Sequence, residues 1–156
     1  MTTQNSSHQP RTILVVDDFD DTRLLLRTWL ERKGFRVIEA EDGLQAVAVA
    51  QKERPDLIIM DLEMPRLDGL TATRRIRKVK ELETVPVVAV SAYGADQFRE
   101  KALAAGCNAL CWTGISGRPI QRFGWARLPA PGRKVFTGRA VGRPRAGRQT
   151  GKWGLK

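Results

Sequence analysis

Leu57-Ile58-Ile59-Met60-Asp61-Leu62-Glu63-Met64-Pro65 is the stretch that decides the architecture. Its first four residues are apolar, two are β-branched, and none alternates with a polar residue, so the run suits a parallel strand covered on both faces. Pro55 closes whatever helix precedes it, and Asp68-Gly69 opens the next. Working outward, Ile13-Leu14-Val15-Val16 and Val87-Val88-Ala89-Val90 are runs of the same kind. A weaker one from Phe35 to Glu39 supplies the second strand in order, and Cys107 to Trp112 supplies a fifth, with both cysteines read as small apolar residues of that strand.

Between these runs the spacing becomes helical. The first helix carries Leu26, Trp29 and Leu30 on one stripe, with Asp20 or Asp21 expected as N-cap and Gly34 as the left-handed C′ residue. The second opens at Asp42-Gly43 and stops before Pro55. The third opens at Asp68-Gly69 and carries Leu70, Thr73, Ile76 and Val79 or Lys80. The fourth runs from about Ala95 to Ala105, with Phe98, Ala102 and Ala105 inward and Gly106 as its stop. Strand then helix, repeated, predicts an α/β domain with a doubly wound parallel sheet.

Charge divides the chain unevenly. The net charge of +10 comprises sixteen basic and seventeen acidic residues in 1–106, a net of −1, and eleven basic with no acidic residues in 107–156, a net of +11. That second part also holds most of the glycines and three of the four tryptophans, a composition that breaks helices and strands alike. The expected organisation is a flexible arm at 1–10, a folded domain at 11–112, and a basic tail at 113–156 that is largely disordered. Two cysteines and one histidine, His8, are too few for a disulfide framework or a zinc site. The first ten residues lack the pattern of a signal peptide and no stretch reaches the apolar length of a membrane span, so a cytoplasmic location without membrane contact is expected.

In open α/β sheets, ligands bind outside the carboxyl ends of the strands. Asp17 and Asp18 close the first strand there, Asp61 the third, and Ser91 the fourth. Any one acid in such a place reads as a cap or turn residue. Three converging carboxylates repel one another unless a cation neutralises them, and an all-oxygen donor set favours Mg2+.

Val15-Val16-Asp17-Asp18, Met60-Asp61-Leu62-Glu63-Met64-Pro65 with Asp68-Gly69, and Val87-Val88-Ala89-Val90-Ser91-Ala92 resemble, in this order, the signatures of bacterial response-regulator receiver domains. The resemblance spans about residues 11 to 110. It implies a flavodoxin-like sheet of order 2-1-3-4-5 and a phosphoacceptor at Asp61. It further implies Mg2+ held by Asp17, Asp18, Asp61 and the backbone carbonyl of Glu63, with Ser91 contacting the phosphoryl group and carrying the switch. The implied phosphoryl donor is a sensor histidine kinase or a histidine phosphotransfer protein. On this reading Asp61 is a nucleophile, ionised at neutral pH, and the chain is a stand-alone signalling domain, not an enzyme, that phosphorylates itself and slowly dephosphorylates itself. A phosphatase of the haloacid dehalogenase type would also use an Asp nucleophile, but after the first strand with a second Asp two residues on.

Pro65 and Gly69 read as loop-shaping residues, the Glu63 side chain and Tyr93 as solvent-facing, and Trp29 as helix packing. The departures from the family pattern begin after Gly106. Where the resemblance calls for an aromatic residue and then a Lys-Pro pair, the chain has Leu110, Thr113 and Gly114. The missing ammonium removes a fixed positive charge beside the acceptor, and Arg118-Pro119 supplies one only after a five-residue slip. The fifth helix is missing as a clear pattern, or replaced by a short one that brings Ile120, Phe123 and Leu128 inward. Two explanations of the tail stay open. One is an altered reading frame, which gives an aberrant C-terminus. The other is a nucleic-acid-binding extension, since Gly142-Arg143-Pro144-Arg145 resembles the core of an AT-hook.

Overall fold

The computed structural model describes residues 10–92 and 95–112. Strands and helices alternate along them: β1 (Thr12–Val16), α1 (Asp20–Glu31), β2 (Arg36–Ala40), α2 (Gly43–Glu53), β3 (Leu57–Asp61), α3 (Gly69–Arg77), a 3-10 turn (Lys80–Leu82), β4 (Val87–Ser91), α4 (Ala95–Ala105) and β5 (Ala109–Trp112). All five strands are parallel, in the order β2-β1-β3-β4-β5. This is the doubly wound α/β architecture expected from the apolar runs.

The period of two in each strand splits the core into two layers. Leu14, Val16, Ile58, Met60, Val87 and Ala89 pack with Ala46 and Ala50 of α2, Ala72 and Ile76 of α3, and Ala102 of α4. Ile13, Val15, Leu57, Ile59, Val88, Val90 and Ala109 form the other layer with Leu26 and Leu30 of α1, and Trp29 packs against it as helix-packing core. The buried face of α2 is made of the small residues Gly43, Ala46 and Ala50.

Local chemistry explains most helix ends and corrects some. Asp42 caps α2 by accepting from Gln45 N at 2.8 Å, and Asp68 caps α3 by accepting from Thr71 N at 2.9 Å. At α1 the expected Asp20 or Asp21 cap is not formed. Phe19 holds that position with no side-chain cap bond, and both acids fall in the first helical turn, where the helix dipole still favours their charge. Helix α1 closes as expected on Gly34, left-handed at φ +86, which donates to Glu31 O at 2.9 Å while Phe35 N donates to Leu30 O at 3.2 Å. Val79 and Lys80 lie past the end of α3, although Val79 still packs on the core. Cys107 is buried just ahead of β5 instead of inside it, while Cys111 lies within that strand. Gly106, at φ +100, stops α4 as expected.

The arm, apart from Pro10, lies outside the described residues. So do Tyr93 and everything from Thr113 onward, including Gly114, Arg118-Pro119, the replacement helix and the AT-hook-like segment. Among the described residues, no helix is long and apolar enough to cross a membrane.

Candidate phosphoacceptor and metal site

Parallel strands end on one edge of the sheet, and β1, β3 and β4 are neighbours there. Asp17 continues β1, its N–H donating to Ala40 O of β2 at 3.2 Å. Asp61 is the last residue of β3 and lies in register with Val90, so Ser91 ends the adjacent strand one residue further. One carboxylate oxygen from each of Asp17, Asp18 and Asp61 falls within 4.8 Å of the others. The three acids singled out in the sequence are thus brought together. Ser91 is buried beside them at the end of β4. The Glu63 side chain is exposed, and its backbone N–H donates to Asp61 Oδ1 at 3.1 Å.

Burial makes the cluster electrostatically costly. The Asp61 carboxyl is pushed from 3.8 to about 7, first by desolvation; the Glu63 N–H opposes this, and the charges of Asp17, Asp18 and Glu63 add to it. Asp17 is raised too, again chiefly by burial, against the pull of the Phe19 N–H, which donates to its Oδ1 at 2.9 Å. No Lys or Arg among the described residues contributes to the balance at Asp61. Without a cation, burial therefore pushes Asp61 toward its protonated form, so the ionised carboxylate expected at neutral pH depends on positive charge nearby. Composition carried no trace of this, because desolvation arises only when the strand ends meet.

The donor set fits a divalent cation. Asp18 Oδ1 is buried without a hydrogen-bond partner, which for a carboxylate oxygen is expensive unless something positive approaches it. Asp17 and Asp61 each have one oxygen held by a backbone N–H, which orients the carboxylate and leaves its second oxygen available. Hard oxygen ligands in this number suit Mg2+.

The raised Asp61 pKa also makes a stability prediction. Because the folded state binds the proton more tightly than the unfolded one, stability falls as pH rises from about 4 through about 7, and the full penalty stands above that. The shift corresponds to about 4 kcal/mol gross, or roughly 2 kcal/mol after allowing for the site's contact with water. Asp61→Asn should therefore stabilise the metal-free protein by about 2 kcal/mol near pH 8 and by little near pH 4, read by urea denaturation at both. Equal stability of the two proteins near pH 8 contradicts the assignment of that burial cost.

The loop after Asp61 is held by close backbone approach. A Cβ on Gly69 would lie 1.9 Å from Asp61 O, and one on Gly43 would lie 2.4 Å from Leu67 O. Leu62, Met64 and Leu67 are buried between these contacts. The loop-shaping role expected of Gly69 is thus a matter of space at the Asp61 carbonyl.

Sequence reading missed Arg23. Its Nη1 donates to Asp17 O at 2.6 Å and its Nη2 pairs with Asp20. The i,i+3 spacing from Asp20 was a visible signal; the bond to the carbonyl was not.

Known proteins resemble this chain in sequence and fold. The family model described as response regulator receiver domain matches residues 13–110. The polar-differentiation response regulator DivK of Brucella anthropi is 34% identical over 114 residues, covering 73% of this chain and 90% of DivK. The receiver domain of sensor histidine kinase PA1611 from Pseudomonas aeruginosa, solved with a magnesium ion coordinated in its active site cleft, is 34% identical with a TM-score of 0.66, over 76% of this chain and 93% of that one. A CheX–CheY–BeF3–Mg2+ complex from Borrelia burgdorferi matches at 28% identity and a TM-score of 0.62, over 66% of this chain and 78% of that one. Sheet order, the joined acids at the strand ends and these matches agree that the chain belongs to the response regulator receiver domain family of two-component signalling.

Proposed function

We propose that Asp61 accepts a phosphoryl group from the phosphohistidine of a sensor histidine kinase or a histidine phosphotransfer protein. The observation that carries this reading is the placing of Asp61 at the end of the central strand, within 4.8 Å of two further carboxylates. An Asp61 oxygen attacks phosphorus in line, the P–N bond to the donor imidazole breaks, and the departing ring nitrogen keeps the electron pair and picks up a proton. The product is an acyl phosphate, and attack by water later returns free carboxylate and inorganic phosphate. The outcome is a transient covalent mark, as befits a signalling domain.

Asp17, Asp18 and Asp61, with the backbone carbonyl of Glu63, would hold Mg2+. When bound, that ion supplies positive charge to the phosphoryl oxygens and favours the ionised form of Asp61. The chain's own residues do the remainder. The Glu63 N–H orients Asp61, and the Ser91 hydroxyl hydrogen-bonds the transferred group. That bond carries the switch.

Thr113 stands where the family lysine would add a fixed cation, so the response is weaker than that of a receiver carrying it. Losing one aimed donor of this kind costs about 3 kcal/mol in transition-state stabilisation in a well-studied hydrolase. We assign residues 11–112 to the receiver and 113–156 to a separate basic tail. A +11 charge gives that tail an attraction for nucleic acid at low salt. The test of the main reading is acetyl-phosphate labelling of the full chain. Labelling should require Mg2+ and should rise at least several-fold in Thr113→Lys; Mg2+-independent labelling contradicts the reading.

A further inference from the structure

We infer that Arg23 is a positioning residue for the acidic pair of β1, setting the angle between Asp17 and Asp18 by gripping the peptide that joins them. The inference rests on the reading above that these acids hold a divalent cation. The carbonyl that accepts from Arg23 Nη1 at 2.6 Å belongs to that peptide. Rotation of a peptide plane swings the Cα–Cβ vectors on either side of it, so a bond to its oxygen constrains both carboxylates together. The other restraints on Asp17 come from backbone: its own N–H on Ala40 O and the Phe19 N–H on its side chain.

Arg23 acts from outside the cluster. Its hydrogen bonds go to the Asp17 carbonyl and to Asp20, and its Nε lies 3.9 Å from Glu39 Oε1. Arg27 holds the other Glu39 oxygen at 2.8 Å, which anchors the acceptor that Arg23 leans on. The Arg23 side chain is only 13% exposed, so this is a packed guanidinium and not a solvated surface charge. None of its bonds is made to a carboxylate oxygen of Asp17, Asp18 or Asp61. A guanidinium paired directly with those oxygens would compete with a cation for them. Here the planar fork holds the backbone and leaves the ligand atoms free. A lysine at this position keeps the charge but cannot hold several partners in one plane.

The test is calorimetric titration of the full chain with Mg2+ alone, comparing the native protein with Arg23→Lys and Arg23→Gln, alongside thermal unfolding without metal. Both variants should bind Mg2+ on the order of tenfold more weakly, as when an outer partner of a metal ligand is removed, while the metal-free midpoint of Arg23→Lys stays at the native value. If Arg23→Gln fails to fold, the lysine variant decides alone. Native affinity in Arg23→Lys overturns the inference, because charge then suffices. Tighter binding in both variants overturns it as well, since Arg23 would then only oppose the cation. A metal-free midpoint that falls in step with affinity assigns Arg23 a merely structural role. Absence of Mg2+ binding by the native chain is a different failure: it removes the reading of the acid cluster itself.

Discussion

Replacing Arg77 with methionine should lower the unfolding free energy by about 3 kcal/mol or more, a large share of the 5 to 15 kcal/mol that holds a typical domain together. The arginine ends α3 at the edge of the sheet where β4 and β5 begin, opposite the edge that carries the carboxylates. Its Nε donates to Gly106 O at 3.0 Å, Nη1 to Leu82 O at 3.0 Å and Val85 O at 2.7 Å, and Nη2 to Asn108 Oδ1 at 2.8 Å. Asn108 Oδ1 also accepts from Val87 N at 2.9 Å. One side chain thus ties α3 and the 3-10 turn to the starts of β4 and β5. Methionine keeps much of the apolar stem and supplies no donor, so four partly buried acceptors lose a donor at once, although Asn108 Oδ1 keeps Val87 N and Leu82 O keeps Val85 N. Urea denaturation of both proteins measures the difference, and a change below about 1 kcal/mol contradicts the account. Lysine should recover little, since an ammonium cannot reproduce the fork.

The second large effect is expected at Gly69. An alanine Cβ there would lie 1.9 Å from Asp61 O, 2.9 Å from Asp61 C and 3.0 Å from Leu62 Cα, all backbone atoms that no rotamer change can move aside. Either α3 retreats or the end of β3 shifts. The shift should cost about 3 kcal/mol in stability. It also displaces Asp61, the proposed acceptor, and misplacement by about 1 Å can reduce a reaction roughly a hundredfold. Gly69→Ala protein that remains folded, as judged by circular dichroism, should therefore label from acetyl phosphate about a hundredfold more slowly. Near-native labelling would show that the β3 end tolerates the added methyl group.

The strands were legible in the sequence because a parallel sheet covered on both faces needs unbroken apolar runs, and Ile13 to Val16, Leu57 to Met60 and Val87 to Val90 are such runs. The acids were legible because each follows a run directly, so topology alone sends them to one edge. Arg77 was not. It sits in Arg74-Arg75-Ile76-Arg77-Lys78, which reads as a solvated charged face, and only the tertiary arrival of Leu82, Val85, Gly106 and Asn108 encloses it. The α1 cap was misplaced for a related reason: Asp20 is engaged by Arg23, and the chain enters the helix through Phe19. The protonation of Asp61 was likewise out of reach, since the dominant cause is burial by residues distant in sequence.

On the proposal above, Asp61 carries the phosphoryl group. The most direct measurement is mass spectrometry of the full chain after incubation with acetyl phosphate and Mg2+, comparing the native protein with Asp61→Asn. One phosphoryl adduct is expected on the native chain, labile as an acyl phosphate is, and none on the variant. An Asp61→Asn chain that gains the adduct at the native rate would contradict it.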